Sequence, residues 1–232
     1  MSSSHMKRLA MPRSWPLTRK TDIWISRPRP SGHPIERCMA LGVVLRDVLG
    51  VAKSMREAKR ALATRKILVD GRVTTDMRRG VGVMDVLSVG DNHYRCILDK
   101  NGKLRYASIS AKEAGHKLCR IDGKTTIKGG VTQLNLHDGR NILVDDATKY
   151  NTMDSLVLDV ESQKIEKHHK FETGANCYLI GGSHIGDTAA MTEYLVKRST
   201  KDNEVLFEDF GTIVDHVFVI GDANLPLDEV SA

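Results

Sequence analysis

The side chains that could do chemistry in this chain are mainly cations, and they are densest between residues 53 and 79. Glu57 is the only acid between Lys53 and Lys66, so ion pairs within that stretch cannot neutralise its charge. Such an excess can bind phosphates and release the counterions condensed on a nucleic acid. The alternative is a charged face that meets only water. The candidate phosphate contacts are Lys53, Arg56, Lys59, Arg60, Arg65, Lys66, Arg72, Arg78 and Arg79.

A short helix is predicted from residue 54, and its two faces separate apolar from charged side chains. Ser54 and Glu57 form the pattern S-x-x-E, which is typical of the capping box at a helix start. Residues three and four positions apart share a helical face. The apolar face must pack inward, which leaves the other face exposed. On that rule the inner face carries Met55, Ala58, Ala61 and Leu62, and the outer face carries Arg56, Lys59 and Arg60.

A β-hairpin is predicted directly after this helix. The apolar period there changes from helical to two, at Ile67 and Val69. Asp70-Gly71 then supplies the two-residue turn that tight hairpins prefer. The helix can be short because the hairpin is its packing partner. The cations at the junction of the two elements are Arg65, Lys66 and Arg72.

An extended basic arm is predicted over residues 1–35. Five of the six prolines lie in it, and prolines at that density favour extended backbone over helix. Trp15 and Trp24 lie among its cations, where an indole could stack on RNA bases or wedge between them. Plain disorder is the alternative. The candidate RNA contacts of the arm are Lys7, Arg8, Arg13, Trp15, Arg19, Lys20, Arg27 and Arg29.

Charge is divided unevenly along the chain. Residues 1–82 carry a net charge of +12 and residues 83–232 a net charge of −6. A basic half of this kind indicates an anionic partner, with nucleic acid the leading candidate. A membrane is less favoured, because no apolar run approaches the ~20 residues that a span needs. No secretory signal is visible either, since no apolar segment follows the basic N-terminus.

The other segments are predicted to form the framework of the fold. Residues 36–49 indicate a mostly buried helix. Residues 95–109 indicate a hairpin that turns at Asn101-Gly102. A short helix should follow, where Ser110 and Glu113 repeat the capping-box pattern. Closely spaced turns at 122–123, 129–130 and 138–139 then favour a compact antiparallel domain.

The stretch SMREAKRALATRKILVDGRV (54–73) resembles the small RNA-binding module named after bacterial small-subunit ribosomal protein four, which pairs two helices with a β-hairpin. The chain as a whole resembles the archaeal and eukaryotic e-type small-subunit ribosomal protein four, from about residue 5 to about residue 221. Five segments carry that resemblance in order: KRLAMPRSW (7–15), RPRPSGHPIERCMAL (27–41), VDGRVTTD (69–76), GVMDVLSV (82–89) and KLCRI (117–121).

The resemblance implies an rRNA-binding structural component of the small ribosomal subunit, in the cytoplasm and beside other ribosomal proteins. It implies no catalysis, cofactor, membrane or small-molecule substrate. A short acidic end in place of a basic extension favours the archaeal type. The expected fold is α+β in four parts: the basic arm (1–35), a helix–hairpin RNA-binding module (36–93), an antiparallel β central domain (94–170), and a small KOW-type β-barrel with an acidic tail (171–232).

Residues 171–195 resemble the KOW motif, a small β-barrel element, which residues 215–222 would close. The family usually has a basic residue after the last of its turn glycines and another glycine two residues later. This chain has Asp187 and Ala189 there, and Asp187 would repel phosphate. Contact of this barrel with RNA, with protein or with neither therefore stays open. The turn glycines, which permit positive φ and close backbone approach, are Gly181, Gly182 and Gly186.

Two other classes of protein share parts of this pattern. A pseudouridine-synthase-like, RNA-modifying enzyme can carry the same module, but the chain has no nucleophile elbow, P-loop or dinucleotide fingerprint. A KOW-containing transcription or translation regulator would leave the basic arm and helix unexplained.

No metal site is predicted from the cysteines and histidines. Cysteines 38, 96, 119 and 177 form no C-x-x-C pair and are expected to be buried thiols in a reducing cytoplasm. His168 and His169 are adjacent, so they would point to opposite sides of a strand. Such a pair is poorly placed to chelate one ion.

Overall fold

The computed structural model describes residues 4–221 and 225–226, which form mainly antiparallel β-structure with a few short helices. This composition agrees with the predicted α+β class. Within those residues no helix is long and apolar enough to cross a membrane. The predicted acidic tail lies almost wholly outside the described residues.

The arm contains a two-stranded ribbon, β1 (His5–Lys7) and β2 (Trp24–Ser26), with 3-10 turns at Arg8–Ala10 and Ile35–Arg37. In the ribbon Met6 lies opposite Ile25, and Lys7 lies opposite Trp24. Neighbouring residues of a strand face opposite sides. Met6 and Ile25 therefore pack on the main hydrophobic core, while Lys7 and Trp24 are exposed.

The segment predicted as one helix over residues 36–49 is divided between a strand and a helix. It forms β3 (Cys38–Ala40), then helix α1 (Leu41–Val43), which continues as a π-helical turn (Val44–Val48). β3 pairs with residues 80–82, and all three of its residues are buried. Because both faces are buried, this apolar run has no period that distinguishes strand from helix. The prediction was wrong for residues 38–40.

One five-stranded antiparallel sheet follows helix α2, in the order β5-β4-β7-β8-β9. The predicted border between residues 93 and 94 falls inside one of its strands, β8. β8 and β9 form the predicted hairpin, whose loop includes Asn101 and Gly102, the latter at φ +68°. The elements of this region are α2 (Met55–Ala63), β4 (Ile67–Val69), β5 (Arg72–Val73), β6 (Gly80–Gly82), β7 (Val86–Val89), β8 (Asn92–Leu98) and β9 (Leu104–Ile109).

The central region is a second five-stranded antiparallel sheet, in the order β12-β11-β10-β13-β14. It is preceded by α3, where Ser110 and Glu113 form the predicted capping box. Its longest strand, β10, pairs with β11 on one side and β13 on the other. The elements are α3 (Ala111–Ala114), β10 (His116–Thr126), β11 (Thr132–Leu136), β12 (Asn141–Val144), a 3-10 turn (Ala147–Lys149), β13 (Ser155–Asp159) and β14 (Ile165–His169).

The last region contains two three-stranded sheets, in the orders β16-β15-β20 and β17-β18-β19. They share a small core that includes Cys177, Val205 and Val217. The elements are β15 (Asn176–Leu179), β16 (Thr188–Ala190), β17 (Glu193–Leu195), β18 (Glu204–Leu206), β19 (Gly211–Ile213), a 3-10 turn (Val214–His216) and β20 (Val217–Val219).

The main core joins the arm, the first sheet and the last region. Trp15 from the arm, Leu62 from α2 and Tyr178 from β15 all belong to the same buried cluster. The Tyr178 hydroxyl also donates to the carbonyl of Leu98 (2.7 Å) and accepts from its N–H (2.8 Å). The arm and the sheets are thus held in fixed positions by shared packing.

Candidate nucleic-acid interface

Ser54 caps the start of helix α2, as predicted. The Ser54 Oγ accepts a hydrogen bond from the Glu57 N–H (3.3 Å), which satisfies one of the free donors at the helix start. The Glu57 carboxylate accepts from the N–H of Lys53 (2.7 Å), one residue earlier than a capping box requires. The cap therefore forms, and Glu57 orders the backbone just before it.

The two faces of α2 are those that the spacing predicts. Ala58 and Leu62 are fully buried, and Met55 and Ala61 are half-buried against the main core. The three cations of the opposite face, Arg56, Lys59 and Arg60, are exposed.

The predicted hairpin follows α2 and turns at Asp70-Gly71. Both turn residues have positive φ, +49° and +71°, and Val69 pairs with Arg72 across them. This is the backbone of a two-residue turn that matches the strand twist. Ile67 and Val69 point into the core, whereas Arg65, Lys66 and Arg72 are exposed.

Seven exposed cations on these elements form a set that we name the α2–hairpin surface. Within residues 4–221 and 225–226, none of the seven side chains makes an ion pair or a hydrogen bond to an acid. Their charge is therefore not consumed by the fold, as phosphate binding requires. The set is Lys53, Arg56, Lys59, Arg60, Arg65, Lys66 and Arg72. Arg79, the next predicted contact, is also exposed.

Three predicted arginines meet where the arm joins the first sheet. The Arg29 guanidinium pairs with Asp76 (2.9 Å), and the Arg78 Nε donates to the carbonyl of Arg27 (3.1 Å). Arg27, Arg29 and Arg78 line one cavity of about 140 Å³. The structure thus brings together cations that are some 50 residues apart in the sequence.

The other predicted contacts in the arm divide into exposed and internal residues. Lys7, Arg13 and Lys20 are exposed. Arg19 is half-buried and donates to the carbonyl of Leu9 (3.0 Å). Arg8 is buried, donates to the carbonyl of Thr18 and pairs with Asp22 at 3.2 Å. Arg8 therefore stabilises the arm itself, which corrects its prediction as an RNA contact.

Trp15 is a core residue, contrary to the prediction that it stacks on RNA. Its side chain is 1% exposed, and its Nε1 donates to the carbonyl of Cys38 (2.9 Å). The exposed indole of the arm is Trp24, at 51%. Prolines and cations surround both tryptophans, so composition could not separate them. The alternation Trp24-Ile25-Ser26 is the signal that could have placed Trp24 outward.

A buried ion cluster, which we name the Lys117 cluster, was not predicted from the sequence. Lys117 is fully buried, and its Nζ lies 2.8 Å from Asp70, 2.5 Å from Asp85 and 2.8 Å from Asp138. Two further cationic or titratable groups complete the cluster. Arg140 pairs with Asp70 at 2.8 Å and with Asp138 at 3.1 Å, and His33 pairs with Asp85 at 2.9 Å.

The Lys117 cluster connects three parts of the fold by ion pairs. His33 comes from the arm, Asp70 and Asp85 from the first sheet and its turns, and Lys117 from β10 of the second sheet. Backbone N–H groups satisfy the remaining carboxylate oxygens: those of Val86, Gly82 and Arg140 donate to Asp70, Asp85 and Asp138 respectively. Buried charges are stable only when paired and hydrogen-bonded in this way.

Nearby opposite charges outweigh burial in setting the pKa of Lys117 and of Asp138. Burial alone would lower the pKa of Lys117, but Asp85 and Asp70 hold that pKa well above 10.5. Burial would raise the pKa of Asp138, but Lys117 and His137 lower it to about 2. Lys117, Asp85 and Asp138 are therefore charged at neutral pH, whereas burial and the neighbouring Asp85 raise the pKa of Asp70. The role of the cluster is structural.

His137 is held in its neutral form beside the cluster. Its Nδ1 accepts from the backbone N–H of Arg120 (3.1 Å), which leaves Nε2 to donate to the carbonyl of Val83 (3.4 Å). Burial, with the charges of Lys117 and His33, lowers the pKa of His137 to about 3.

Cys119, His137 and Asp138 place three atoms of metal-ligand type within 4.8 Å of one another. Their surroundings disfavour a cation, because Lys117 and Arg140 already pair with Asp138 and burial raises the pKa of the Cys119 thiol well above 9. Elsewhere, the His168 Nε2 lies 2.7 Å from the Asp154 carboxylate.

The turn that the sequence predicts to be of KOW type packs against this chain itself. Gly182 and Gly186 have φ of +83° and +86°. A Cβ at Gly186 would lie 2.6 Å from the backbone carbonyl of Asp99, and one at Gly181 would lie 2.4 Å from the His216 ring. The close backbone approach that the glycines permit is thus an approach to the β8–β9 loop and to the turn before β20.

Asp187 lies at the same internal contact. Its carboxylate is 3.5 Å from the Lys100 Nζ of the β8–β9 loop, and both side chains are largely exposed. The acid that replaces the usual basic residue therefore has a partner within the chain.

Comparisons with known proteins identify a family for this chain. A model of the ribosomal family S4e matches residues 90–165, and a model of the RS4NT (NUC023) domain matches residues 2–36. Small ribosomal subunit protein eS4 of Methanocella arvoryzae is 40% identical over 227 residues, covering 95% of each chain. The protein of the same name from Methanocaldococcus jannaschii is 41% identical over 232 residues, covering 94% of each.

A solved structure agrees with the fold. The crystal structure of 30S ribosomal protein S4e from Thermoplasma acidophilum is 31% identical, with a TM-score of 0.71, and covers 81% of this chain and 96% of its own. Identity of this extent with full-length relatives confirms the resemblance read from the sequence segments. The chain belongs to the S4e family of ribosomal proteins.

Proposed function

We propose that this chain is a structural constituent of the small ribosomal subunit that binds rRNA through the α2–hairpin surface and the basic arm. The observation that carries the proposal is the set of seven exposed cations on α2 and its hairpin, none paired with an acid of the described residues. Its relatives are named as small-subunit ribosomal proteins, which supports the same role here.

The electrostatics of the α2–hairpin surface favour a polyanion. An exposed cation without an internal acid keeps its full charge for a ligand, and each phosphate contact releases condensed counterions. Arginine also binds phosphate with a planar, bidentate geometry. Four of the seven cations are arginines: Arg56, Arg60, Arg65 and Arg72. We infer that they form one positive surface with the neighbouring lysines.

The arm extends this interface in our proposal. Arg27 and Arg29 lie beside Arg78 at the join with the first sheet, and Arg13 and Lys20 are exposed further along the arm. The arm does not depend on RNA for all of its order, because Met11, Trp15 and Ile25 are in the main core. RNA would then meet a scaffold that is already formed.

The last region is proposed to be a KOW-type barrel whose turn serves a structural role. Gly186 contacts the β8–β9 loop, and Asp187 lies near Lys100 of that loop. Both observations favour an internal joint over an RNA contact at this turn. Neighbouring ribosomal proteins are the proposed partners of surfaces that face away from RNA. The comparisons support neither an RNA-modifying enzyme nor a KOW-containing regulator.

Sedimentation with the ribosome tests the proposal. The tagged chain is expressed in its source organism, and the lysate is separated on a sucrose gradient at low salt and again after a high-salt wash. We expect the chain to sediment with the small subunit at low salt and to leave it at high salt, since salt weakens phosphate contacts. A chain that stays at the top of the low-salt gradient, beside intact small subunits, would contradict the proposal.

A further inference from the structure

The outer face of the β1–β2 ribbon carries an exposed aromatic side chain beside a cation. Lys7 lies directly opposite Trp24 in the ribbon, and its Nζ is 3.9 Å from the centroid of the indole. His5, two residues before Lys7 and so on the same face, lies edge-on to Trp24 at 4.7 Å. The inner face of the same ribbon packs on the core through Ile25. The indole is thus presented outward by an anchored element.

Packing among the described residues does not explain the exposure of Trp24. Tryptophan is usually well buried, and Trp15 of the same arm is 1% exposed. Trp24 is 51% exposed. An indole held outward with an ammonium group against it has the two features that bind a nucleotide: a π-face for the base and a positive charge for the phosphate.

A groove connects Trp24 with the α2–hairpin surface. It has a volume of about 950 Å³ and lies between the ribbon and the segment that precedes α2. Two cations of its wall, Arg8 and Arg46, are paired with Asp22 and Asp47. Lys53, which also lines the groove, has no such partner among the described residues and belongs to the α2–hairpin surface. An RNA strand on that surface could therefore continue along the groove to Trp24.

We propose that Trp24 and Lys7 bind an unpaired nucleotide of the RNA, with the base stacked on the indole and the phosphate held by the Lys7 ammonium. This inference rests on the proposed function and adds a second type of contact to it. The α2–hairpin surface would bind the phosphates of both paired and unpaired RNA. Trp24, in contrast, requires a base that is free to leave its helical stack.

Tryptophan fluorescence tests the site directly, because Trp15 and Trp24 are the only tryptophans of the chain. Trp15 is buried, so acrylamide quenching of the free protein reports mainly Trp24. The probes are single-stranded oligoadenylate and the same strand paired with oligouridylate. We expect the single strand to quench the emission and to shield it from acrylamide, and the duplex to leave Trp24 accessible. Trp24→Phe should remove this fluorescence response.

Affinities of variants complete the test. Trp24→Ala should weaken single-strand binding about 10-fold, in line with the loss of one stacked base, while duplex affinity stays unchanged. Trp24→Phe should restore most of the affinity, and Lys7→Ala should reduce the salt slope of single-strand binding by about 1. An exposed position makes misfolding of these variants a minor concern, and a thermal melt checks it.

The possible outcomes separate this inference from the proposed function. Salt-dependent binding of both probes that is indifferent to Trp24→Ala would overturn the nucleotide site and leave the proposed function intact; it would also be the result if Trp24 serves a protein neighbour. If Trp24→Ala lost the same affinity for the single strand as for the duplex, the requirement for an unpaired base would be overturned. Absence of salt-dependent binding to either probe and to small-subunit rRNA would overturn the proposed function itself.

Discussion

The α2–hairpin surface and the Lys117 cluster use the same kinds of cation in opposite ways. On α2, Arg56, Lys59 and Arg60 are exposed, and their side chains pair with no acid of the described residues. In the cluster, Lys117 is completely buried and lies within 2.8 Å of three aspartates. Desolvation makes an unpaired buried charge very costly, whereas an exposed one costs little. Cations can therefore serve an external polyanion only where the fold has not neutralised them.

The largest effect that we predict comes from removing the central cation of the buried cluster. Lys117→Met keeps the size of the side chain but leaves three buried aspartates with Arg140 as their main counter-charge. We expect a loss of about 3–5 kcal/mol in the free energy of unfolding. Urea denaturation measures it, with Lys112→Met on exposed α3 as the control, for which we expect a change within about 0.5 kcal/mol. Similar midpoints for the two variants would show that the cluster does not stabilise the fold.

The joint between the proposed KOW-type turn and the β8–β9 loop should be the next most sensitive place. Gly186→Ala introduces a Cβ 2.6 Å from the Asp99 carbonyl at a φ of +86°. We expect a loss of about 3 kcal/mol, from backbone strain and from the clash together. Gly174→Ala is a matched control, because its φ is +85° but no atom lies within 4 Å; strain alone should cost about 1–2 kcal/mol. Equal losses at the two glycines would argue against close packing at this joint.

The neutral His137 should make stability depend on pH. Its pKa is about 3 in the folded chain against an ordinary 6.5, so below pH 6.5 the unfolded state binds a proton that the folded state does not. The stability that the neutral His137 contributes is therefore fully present above pH 6.5, and it is lost as the pH falls toward 3. The slope is up to about 1.4 kcal/mol per pH unit.

His137→Gln isolates this titration from that of the other histidines. Gln can still accept from the Arg120 N–H but does not titrate. Thermal or urea unfolding between pH 7 and pH 4 should show a shallower loss of stability in the variant than in the wild type. Parallel pH profiles would mean that His137 is protonated in the folded chain.

The smallest effect should come from the exposed pair of Asp187 and Lys100. The two charged atoms are 3.5 Å apart, and the side chains are 41% and 70% exposed. Asp187→Asn should change the free energy of unfolding by less than about 0.5 kcal/mol. If the variant gained RNA affinity well beyond that of the wild type, the KOW-type turn would be an RNA contact and not an internal joint.

The local period of apolar residues made the α2–hairpin surface predictable. Segments without such a period, such as residues 38–40, were not predicted correctly. The three- and four-residue spacing of Ala58, Ala61 and Leu62 determines which side of α2 faces water, and no distant residue is needed for that inference. Residues 38–40 were read as helix because an apolar run buried on all sides has no such signal. The strand there depends on pairing with residues 80–82, which only the folded chain brings together.

The Lys117 cluster was unpredictable for the same reason. Asp70 and Asp138 each precede a glycine in a turn, and that local role was a sufficient reason for an Asp at either position. Their carboxylates meet Lys117 from positions 47 residues before it and 21 residues after it. Nothing in the neighbourhood of KLCRI marks its lysine as buried. Charge balance among distant residues becomes visible only in three dimensions.

The salt dependence of rRNA affinity tests most directly whether the α2–hairpin surface binds phosphate. The wild type is compared with two triple variants. The α2 variant is Arg56→Ala/Lys59→Ala/Arg60→Ala. The control, which loses the same charge elsewhere, is Lys128→Ala/Lys164→Ala/Lys167→Ala. The control lysines are exposed and have no ion pair within the described residues. A thermal melt should show all three folded, since exposed cations contribute only a few tenths of a kcal/mol each, roughly.

We predict that the α2 variant binds small-subunit rRNA more weakly and that its slope of log affinity against log salt is shallower by about 2–3, while the control keeps the wild-type slope. The contrary result would be a native melt with the same slope for the α2 variant and the wild type. The cations of α2 would then only face water, and the interface would have to lie elsewhere on the chain.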